Sequence, residues 1–287
     1  MAVRVGFIGA GRVARALSGA LAAAGWEVVS VYSRDAEKAQ RFAAELPGCR
    51  VAARPQEVVD WAEAVFLTVP DGSIEAVAAG LQWRDGMMAI HCSGSLSLDV
   101  LDAAASHGAL AGSFHPLLAV TEDPAGGAFA GCAVAIEGQE AVAGMLESMA
   151  LAIGARPFRL PAGSKALYHA GAVFASNYVV TLLHEAALIW QLFGRSETES
   201  LRELLPLLKG TVANLERLGP ARALTGPIAR GDAGTLSRHL AALDAQLPAV
   251  ADLYRVLGRA TVQLAAGSEA VGEDLLTALD GAAASHQ

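Results

Sequence analysis

The spacing of apolar residues changes character near residue 160. Before that point, short apolar runs alternate with helical periods. Val3, Val5, Phe7 and Ile8 make a run long enough for a buried strand, and Val13, Leu17 and Leu21 follow at helical spacing. Further runs at 27–32, 64–71, 87–91, 109–114, 132–137 and 156–160, with a weak one at 50–53, predict strands. The stretches 35–46, 55–61, 98–105 and 139–153 predict helices, and another starts at Ser73. This alternation predicts an α/β fold with a mostly parallel sheet covered on both faces. Beyond Leu160 the strand pattern stops, and 162–193, 197–218, 220–224, 233–246 and 248–266 read as helices. The chain therefore divides into a sheet domain, 1–160, and an all-α domain, 161–287, whose last residues, 281–287, read as a frayed end.

Within the first of those helices, 173–193 is apolar over about 20 residues, the length that crosses a bilayer. Asn177, His184, Glu185 and Gln191 interrupt it and are costly in lipid. The pattern predicts a helix buried inside a protein domain, with Val173, Phe174, Val179, Val180, Leu182 and Leu183 in its core.

Composition narrows the classes. A length of 287 residues suits two domains, and 53% hydrophobic with 17% charged residues allows a sizeable core. The net charge of −8, with no long basic run, argues against nucleic acid or an anionic membrane as partner. Cys49, Cys92 and Cys132 lie far apart with no C-x-x-C pair, so neither a zinc site nor a disulfide framework is expected. Reduced thiols, and an N-terminus that runs straight into a strand with no signal peptide, point to the cytoplasm.

Candidate chemistry begins at the first turn. Gly9-x-Gly11-x-x-Ala14 stands between a strand and a helix, the context in which this spacing is a dinucleotide-binding fingerprint. Gly9 suits a tight turn and Gly11 leaves the main chain open to a pyrophosphate. Ala14 lets the helix lie close to the strand, whose helix N-terminus, with Arg12 and Val13, faces the phosphates. At the end of the second strand an NAD enzyme places Asp or Glu; here stand Ser33 and Arg34, which suit the 2′-phosphate of NADP. Asp35 reads as the cap of the next helix. Pro70 and Asp71 fall on the nicotinamide side, and Asp71 is alternatively a cap for the helix at Ser73.

Ser93-Gly94-Ser95, after the 87–91 strand, reads either as a carboxylate cradle or as the approach to a helix capped by Ser97. His115, after 109–114, faces the same cleft. Lys165 and His169 are four apart, so they share a helix face, roughly with Asn177, and are flanked by Tyr168, Ser176 and His184. Such residues in an apolar helix need partners. The loop 224–232 offers Thr225 as a substrate contact and Arg230 as a holder of a carboxylate or a second subunit, or else a plain turn with an Arg230–Asp232 surface pair.

Several motifs together carry a family resemblance. They are Gly-Phe-Ile-Gly-Ala-Gly-Arg-Val-Ala at 6–14, Thr68-Val-Pro-Asp71, Ser113-Phe-His-Pro-Leu117, Tyr168-His169 with 173–178, and 223–232. Over nearly the whole chain they resemble a family of oxidoreductases with an N-terminal Rossmann-like domain and a C-terminal helical domain of unknown function. The plan is similar to that of ketopantoate reductase, pyrroline-carboxylate reductase and the β-hydroxyacid dehydrogenases. The resemblance implies NADP, a cleft between the domains and a homodimer through the helical domain. β-Hydroxyacid dehydrogenases and ketopantoate reductases carry Lys-x-x-x-Asn, with the lysine as proton donor. This chain has Lys165-x-x-x-His169, keeping the lysine and replacing the asparagine. The His115-Pro116 pair resembles that of prephenate dehydrogenases, where the histidine meets the reacting hydroxyl, and 93–95 resembles a substrate-binding turn.

These features imply an NADPH-dependent reductase of a small carbonyl or imine bearing a carboxylate. Lys165 would donate the proton, with His169 or His115 relaying it, and no metal would be needed. Two rivals remain open. One is an NADP-binding sensor or scaffold without turnover, marked by Lys165 held in a salt bridge away from the cleft. The other is the same fold with a deazaflavin as hydride partner.

Overall fold

The computed structural model describes residues 3–119, 128–265 and 272–281; the expected helix end at Ala266 and the frayed end past 281 lie outside them. Eight strands form one sheet: β1 (Arg4–Ile8), β2 (Glu27–Tyr32), β3 (Arg50–Val51), β4 (Ala64–Leu67), β5 (Met88–His91), β6 (Leu110–Pro116), β7 (Ala133–Gly138) and β8 (Arg156–Arg159). Their order is β3-β2-β1-β4-β5-β6-β7-β8. Neighbours pair in parallel except β6 and β7, which are antiparallel. The central strands β4 and β5 are buried at every residue, as continuous apolar runs in a parallel sheet should be.

Helices cover both faces. Phe7, Phe66 and Phe114 pack with residues of α1 (Arg12–Ala23), α2 (Ala36–Ala44) and α6 (Glu140–Ala152) in one core. Ile8, Val65 and Leu67 pack with α3 (Pro55–Trp61), α4 (Asp71–Ala79) and α5 (Asp102–Ala105) in the other. The predicted helix 98–105 is a 3-10 turn, Leu98–Leu101, followed by the single turn of α5.

The chain separates into two compact units at Ser176/Asn177. The first helix after the sheet, α7 (Lys165–Ala175), therefore goes with the sheet, and α8 (Asn177–Gln191) opens the second unit. The single helix expected over 162–193 is interrupted at Ser176, whose φ −126° and ψ −70° leave the helical region. Ser176 and Asn177 carry short polar side chains that compete with helical hydrogen bonds.

The expectation of a buried apolar helix is corrected here. None of Val173, Phe174, Val179, Val180, Leu182 and Leu183 is buried, and only 6% of the most apolar window of Lys165–Gln191 lies inside the chain. The reason is orientation: α7 buries Lys165 and α8 buries Ala187, so each turns a polar or small residue inward and larger apolar ones outward.

The second unit holds α8, α9 (Glu197–Leu218), α10 (Pro220–Ala223), α11 (Ala233–Gln246), α12 (Pro248–Ala265) and α13 (Gly272–Asp280). A capping box between Ser196 and Glu199 starts α9. The sequence reading missed α13, although Leu275 and Leu279 are one turn apart. They are buried with Leu236, Leu240 and Val262, and Leu279 lies so close to α12 that a Cβ on Gly258 would stand 2.6 Å from it.

Candidate active site

A cleft of about 860 Å3 opens at the carboxyl ends of β1, β2 and β4. Gly9 forms its turn at φ +113°, donating its N–H to the Tyr32 carbonyl at 2.8 Å. The Thr68 hydroxyl donates to the Gly9 carbonyl at 3.0 Å. A Cβ on Gly9 would lie 2.5 Å from the Thr68 carbonyl oxygen, so both dihedral and space demand glycine. At Gly11 a Cβ would meet nothing within 4 Å, and no side chain caps α1 there. Bare main chain and free helix N–H groups are what a pyrophosphate needs.

Arg12, Val13, Ser33, Arg34 and Pro70 line this cleft with Gly9 and Gly11, and Asp71 stands between Pro70 and Gly72 of the lining. Lys38, which the sequence reading passed over, lines it too. Asp35 caps α2 by accepting the Lys38 N–H at 3.1 Å and pairs with Lys38 Nζ at 3.3 Å. Those contacts, the backbone bond first, hold its carboxyl below the usual range. With Asp35 engaged by its own helix, Arg12, Arg34 and Lys38 leave this end of the cleft positive, which suits a 2′-phosphate.

A lateral row of residues prepares the region further along the sheet. Ile8, Leu67, His91, Ser113 and Glu137 are successive register partners on β1, β4, β5, β6 and β7, so their side chains share one face. The row is apolar at Ile8 and Leu67 and polar from His91 onward. Lys165 lies over the polar end. Its Nζ donates to Ser113 Oγ at 2.5 Å and pairs with Glu137 Oε2 at 3.1 Å. Lys165 is 2% exposed and Glu137 8%. Burial lowers the lysine's pKa, and Glu137 opposes that shift. The ammonium expected to donate a proton is thus enclosed by Ser113 and Glu137.

His91 is fully buried; its Nδ1 accepts the Ser93 N–H at 3.2 Å, and its Nε2 has no hydrogen-bond partner of good geometry among the described residues. Burial, then Lys165, pushes its pKa down to about 4. His115 is likewise pushed down to about 4 by burial, then by Lys165 and His169. Its Nδ1 lies 2.8 Å from the Tyr168 hydroxyl, and burial pushes that phenol up to about 12. At neutral pH the pair is a neutral imidazole and a protonated phenol.

His169 meets His115 edge-on with ring centres 5.9 Å apart, and its Nδ1 is buried without a hydrogen-bond partner among the described residues. Gly94 lies against both rings. A Cβ there would stand 2.5 Å from His169 Nδ1 and 2.7 Å from His115 Nε2. Lys165 and His169 do share the inward face of α7, as their spacing predicts.

The Ser93-Gly94-Ser95 turn holds a carboxylate, and it is the chain's own. Ser93 Oγ and Ser95 Oγ donate to Asp71 Oδ2 at 2.6 and 3.2 Å, while Ser93 Oγ accepts the N–H groups of Ser95 and Leu96. The capping roles considered for these residues are not realised. Asp71 is the first residue of α4, with Pro70 before it, and Ser97 donates to Asp99 instead of capping the turn that follows.

Other candidates lie in the 177–287 unit. Asn177 is exposed at the start of α8, because the break at Ser176 removes it from the helix that carries Lys165 and His169. Thr225 lines a separate cleft of about 520 Å3 with Leu207, Asn214 and Leu224. His184 faces Glu197 at 3.3 Å. Asp232 caps α11 by accepting the Thr235 N–H at 2.9 Å, and it forms no ion pair with Arg230 among the described residues. Ser113 and Glu137 were the residues that sequence reasoning did not single out; an acid ending the apolar run 132–137 was the available signal.

Residues 1–116 match the model of a Rossmann-like domain, and residues 132–261 match that of a domain of unknown function, DUF2520. No curated protein matches the chain. Among solved structures it is similar to a Bacteroides fragilis protein provisionally named an NADP oxidoreductase, at 25% identity and TM-score 0.73, covering 91% of this chain and 98% of that one. It is also similar to a reductive aminase from Aspergillus terreus solved with NADPH4, cyclohexanone and allyl amine, at 21% identity and TM-score 0.64, covering 98% and 99%. A 1-pyrroline-5-carboxylate reductase from Streptococcus pyogenes shares the fold at 17% identity and TM-score 0.60, covering 98% of each chain. The chain is a Rossmann-like domain followed by a DUF2520 domain, with the fold of NADP-dependent oxidoreductases.

Proposed function

We propose that this protein is an NADPH-dependent reductase of a small carbonyl or imine. One observation carries the reading: a single sheet presents a phosphate-fitting glycine turn and, beside it, a cluster of proton-bearing side chains. In this reading Gly9, Gly11, Arg12, Val13 and the free N-terminus of α1 hold the pyrophosphate. Ser33, Arg34 and Lys38 hold the 2′-phosphate, and Pro70 and Asp71 border the nicotinamide. Bound NADPH supplies the hydride, and the chain supplies position and the proton.

Tyr168 and His115, hydrogen-bonded and uncharged near neutral pH, form the proton-donating pair, with His169 beside them as relay. Lys165 acts as a positioning residue. Its pair with Glu137 and its bond to Ser113 fix the first turn of α7 and so hold Tyr168 and His169 near Gly94. The protein works in the cytoplasm as a homodimer through its helical unit. The outward-facing Val180, Leu182 and Leu207 support that assembly.

The same buried pair favours a second reading, an NADP-binding sensor without turnover, because it commits the lysine to structure. Calorimetric titration of NADPH and NADH into the wild type and Arg34→Ala, followed by NADPH oxidation with small ketones and cyclic imines, tests both. NADPH is expected to bind more tightly than NADH, and Arg34→Ala to weaken NADPH alone by about tenfold, the effect of losing a charge-assisted hydrogen bond. Tight NADPH binding without turnover on the panel selects the sensor. Failure to bind either nucleotide removes both readings.

A further inference from the structure

We infer that Asp71, at the edge of this cleft between the lining residues Pro70 and Gly72, favours a cationic nitrogen, an ammonium or iminium group, over a carboxylate. The inference rests on the cleft being an NADPH site and names the charge class of what binds beside the cofactor.

Asp71 is exposed, and its neighbours Pro70 and Gly72 line the cleft. Both serine hydroxyls donate to its Oδ2, which fixes the carboxylate's orientation. Its Oδ1 takes no hydrogen bond among the described residues and keeps its lone pairs for a ligand.

The ammonium near Asp71, that of Lys165, is already neutralised by a carboxylate. Glu137 lies 3.1 Å from the Lys165 ammonium, and if that lysine gives up its proton the pair turns negative rather than positive. His91 and His115 are held neutral by burial, and the Tyr168 phenol and Cys92 thiol keep their protons, both pushed up to about 12. The cations that line the cleft, Arg12, Arg34 and Lys38, follow β1 and β2, next to the phosphate-fitting turn. A substrate carboxylate at the Ser93–Ser95 turn would meet Asp71, and the nearby Lys165 ammonium is already paired with Glu137. An ammonium or iminium would meet an anion already oriented by two serines.

The test uses NADPH-saturated full-length protein, so that the nicotinamide ring is uncharged and the cofactor reading is measured first. Cyclohexylammonium, cyclohexanol and cyclohexanecarboxylate, which differ only in head group, are titrated by calorimetry at pH 7.5 into wild type, Asp71→Asn and Asp71→Glu. In the wild type the ammonium is expected to bind about tenfold more tightly than the alcohol, and the carboxylate more weakly than either. Asp71→Asn, which can still accept from Ser93, should erase the preference, and Asp71→Glu should retain the order. The inference is overturned if the carboxylate binds more tightly than the ammonium, if the ammonium does not bind, or if Asp71→Asn melts like wild type and keeps the wild-type ratio. Failure of NADPH to bind is a different result, seen before any head group is added, and it overturns the underlying function.

Discussion

At the β1–β2 end of the sheet, bare main chain and exposed cations line the cleft; at the β5–β7 end stand polar side chains held in place by burial. Gly9 and Gly11 matter for what they lack, and Arg12, Arg34 and Lys38 need only reach the cleft. In the proposed reading His115, Tyr168 and His169 matter for where they stand, and their place depends on the contacts of Lys165 with Ser113 and Glu137. A phosphate site is therefore local in sequence, since one turn supplies most of it. The proton-bearing cluster is assembled from β5, β6, β7 and α7, around the buried Lys165–Glu137 pair.

The largest expected effect tests that dependence. Lys165→Met leaves the Glu137 carboxylate buried without its partner, which costs about 3–5 kcal/mol. Adding Glu137→Leu should recover most of the loss, because the unpaired charge goes with it. Urea unfolding of wild type, single and double variants measures this; a single variant as stable as wild type would mean the pair holds nothing in place. NADPH affinity should change little in either variant, since neither Lys165 nor Glu137 lines the cleft at the glycine turn.

Gly9→Ala attacks that other end. A Cβ at φ +113° and 2.5 Å from the Thr68 carbonyl combines backbone strain with a clash against main chain that cannot rotate away. The expected loss is about 2–4 kcal/mol, together with NADPH binding. Gly11→Ala is the control. It meets no protein atom, so stability should stay within about 0.5 kcal/mol while NADPH binds more weakly. Equal melting temperatures for the two variants would erase the distinction drawn between the glycines.

Acid separates the two ends without mutation. His91 and His115 have native pKa values near 4 against an unfolded value near 6.5, so between those limits the unfolded chain binds protons that the native protein excludes. Their stabilising contribution is complete above about pH 6.5 and is lost as pH falls toward 4, by on the order of 2–3 kcal/mol for each histidine. Urea midpoints taken at half-unit intervals should decline steadily through this window. His91→Gln combined with His115→Gln should flatten the curve, and an equally steep decline in that double variant would assign the acid sensitivity elsewhere.

How legible each end was in the sequence follows from the same contrast. The glycine turn, Ser33 and Arg34 could be read directly, because fingerprint, strand and helix are contiguous. The shared face of Lys165 and His169 could be read from their spacing alone. Ser113 and Glu137 could not, since they meet Lys165 only through the register of the antiparallel β6–β7 pair, and a long connection between those strands leaves the offset unspecified. The carboxylate cradle was half legible: Ser93 and Ser95 looked like hydroxyls awaiting an anion, and nothing local revealed that Asp71, 22 residues earlier, supplies it. The outward-facing residues of α8 misled for a different reason. Apolar composition marks surface that needs covering, but does not say whether the same chain covers it.

A more modest effect on stability bears most directly on the cluster. Gly94 has no unusual dihedral, and the atoms nearest an alanine methyl there belong to the two imidazoles, side chains that can move where a main chain cannot. Gly94→Ala should cost about 1–2 kcal/mol, less than Gly9→Ala. The new methyl would push His169 and His115 apart and disturb the 2.8 Å contact between His115 Nδ1 and Tyr168. NADPH affinity should survive, because no atom of the glycine turn touches Gly94, whereas reduction of any substrate found for the wild type should fall by at least about tenfold, a typical share for a positioned proton donor. Steady-state kinetics on the folded variant, with imidazole nitrogen chemical shifts recorded alongside, reads both parts. Normal turnover with displaced histidine shifts would show that the imidazoles are not the proton route, and would return Lys165 to that role.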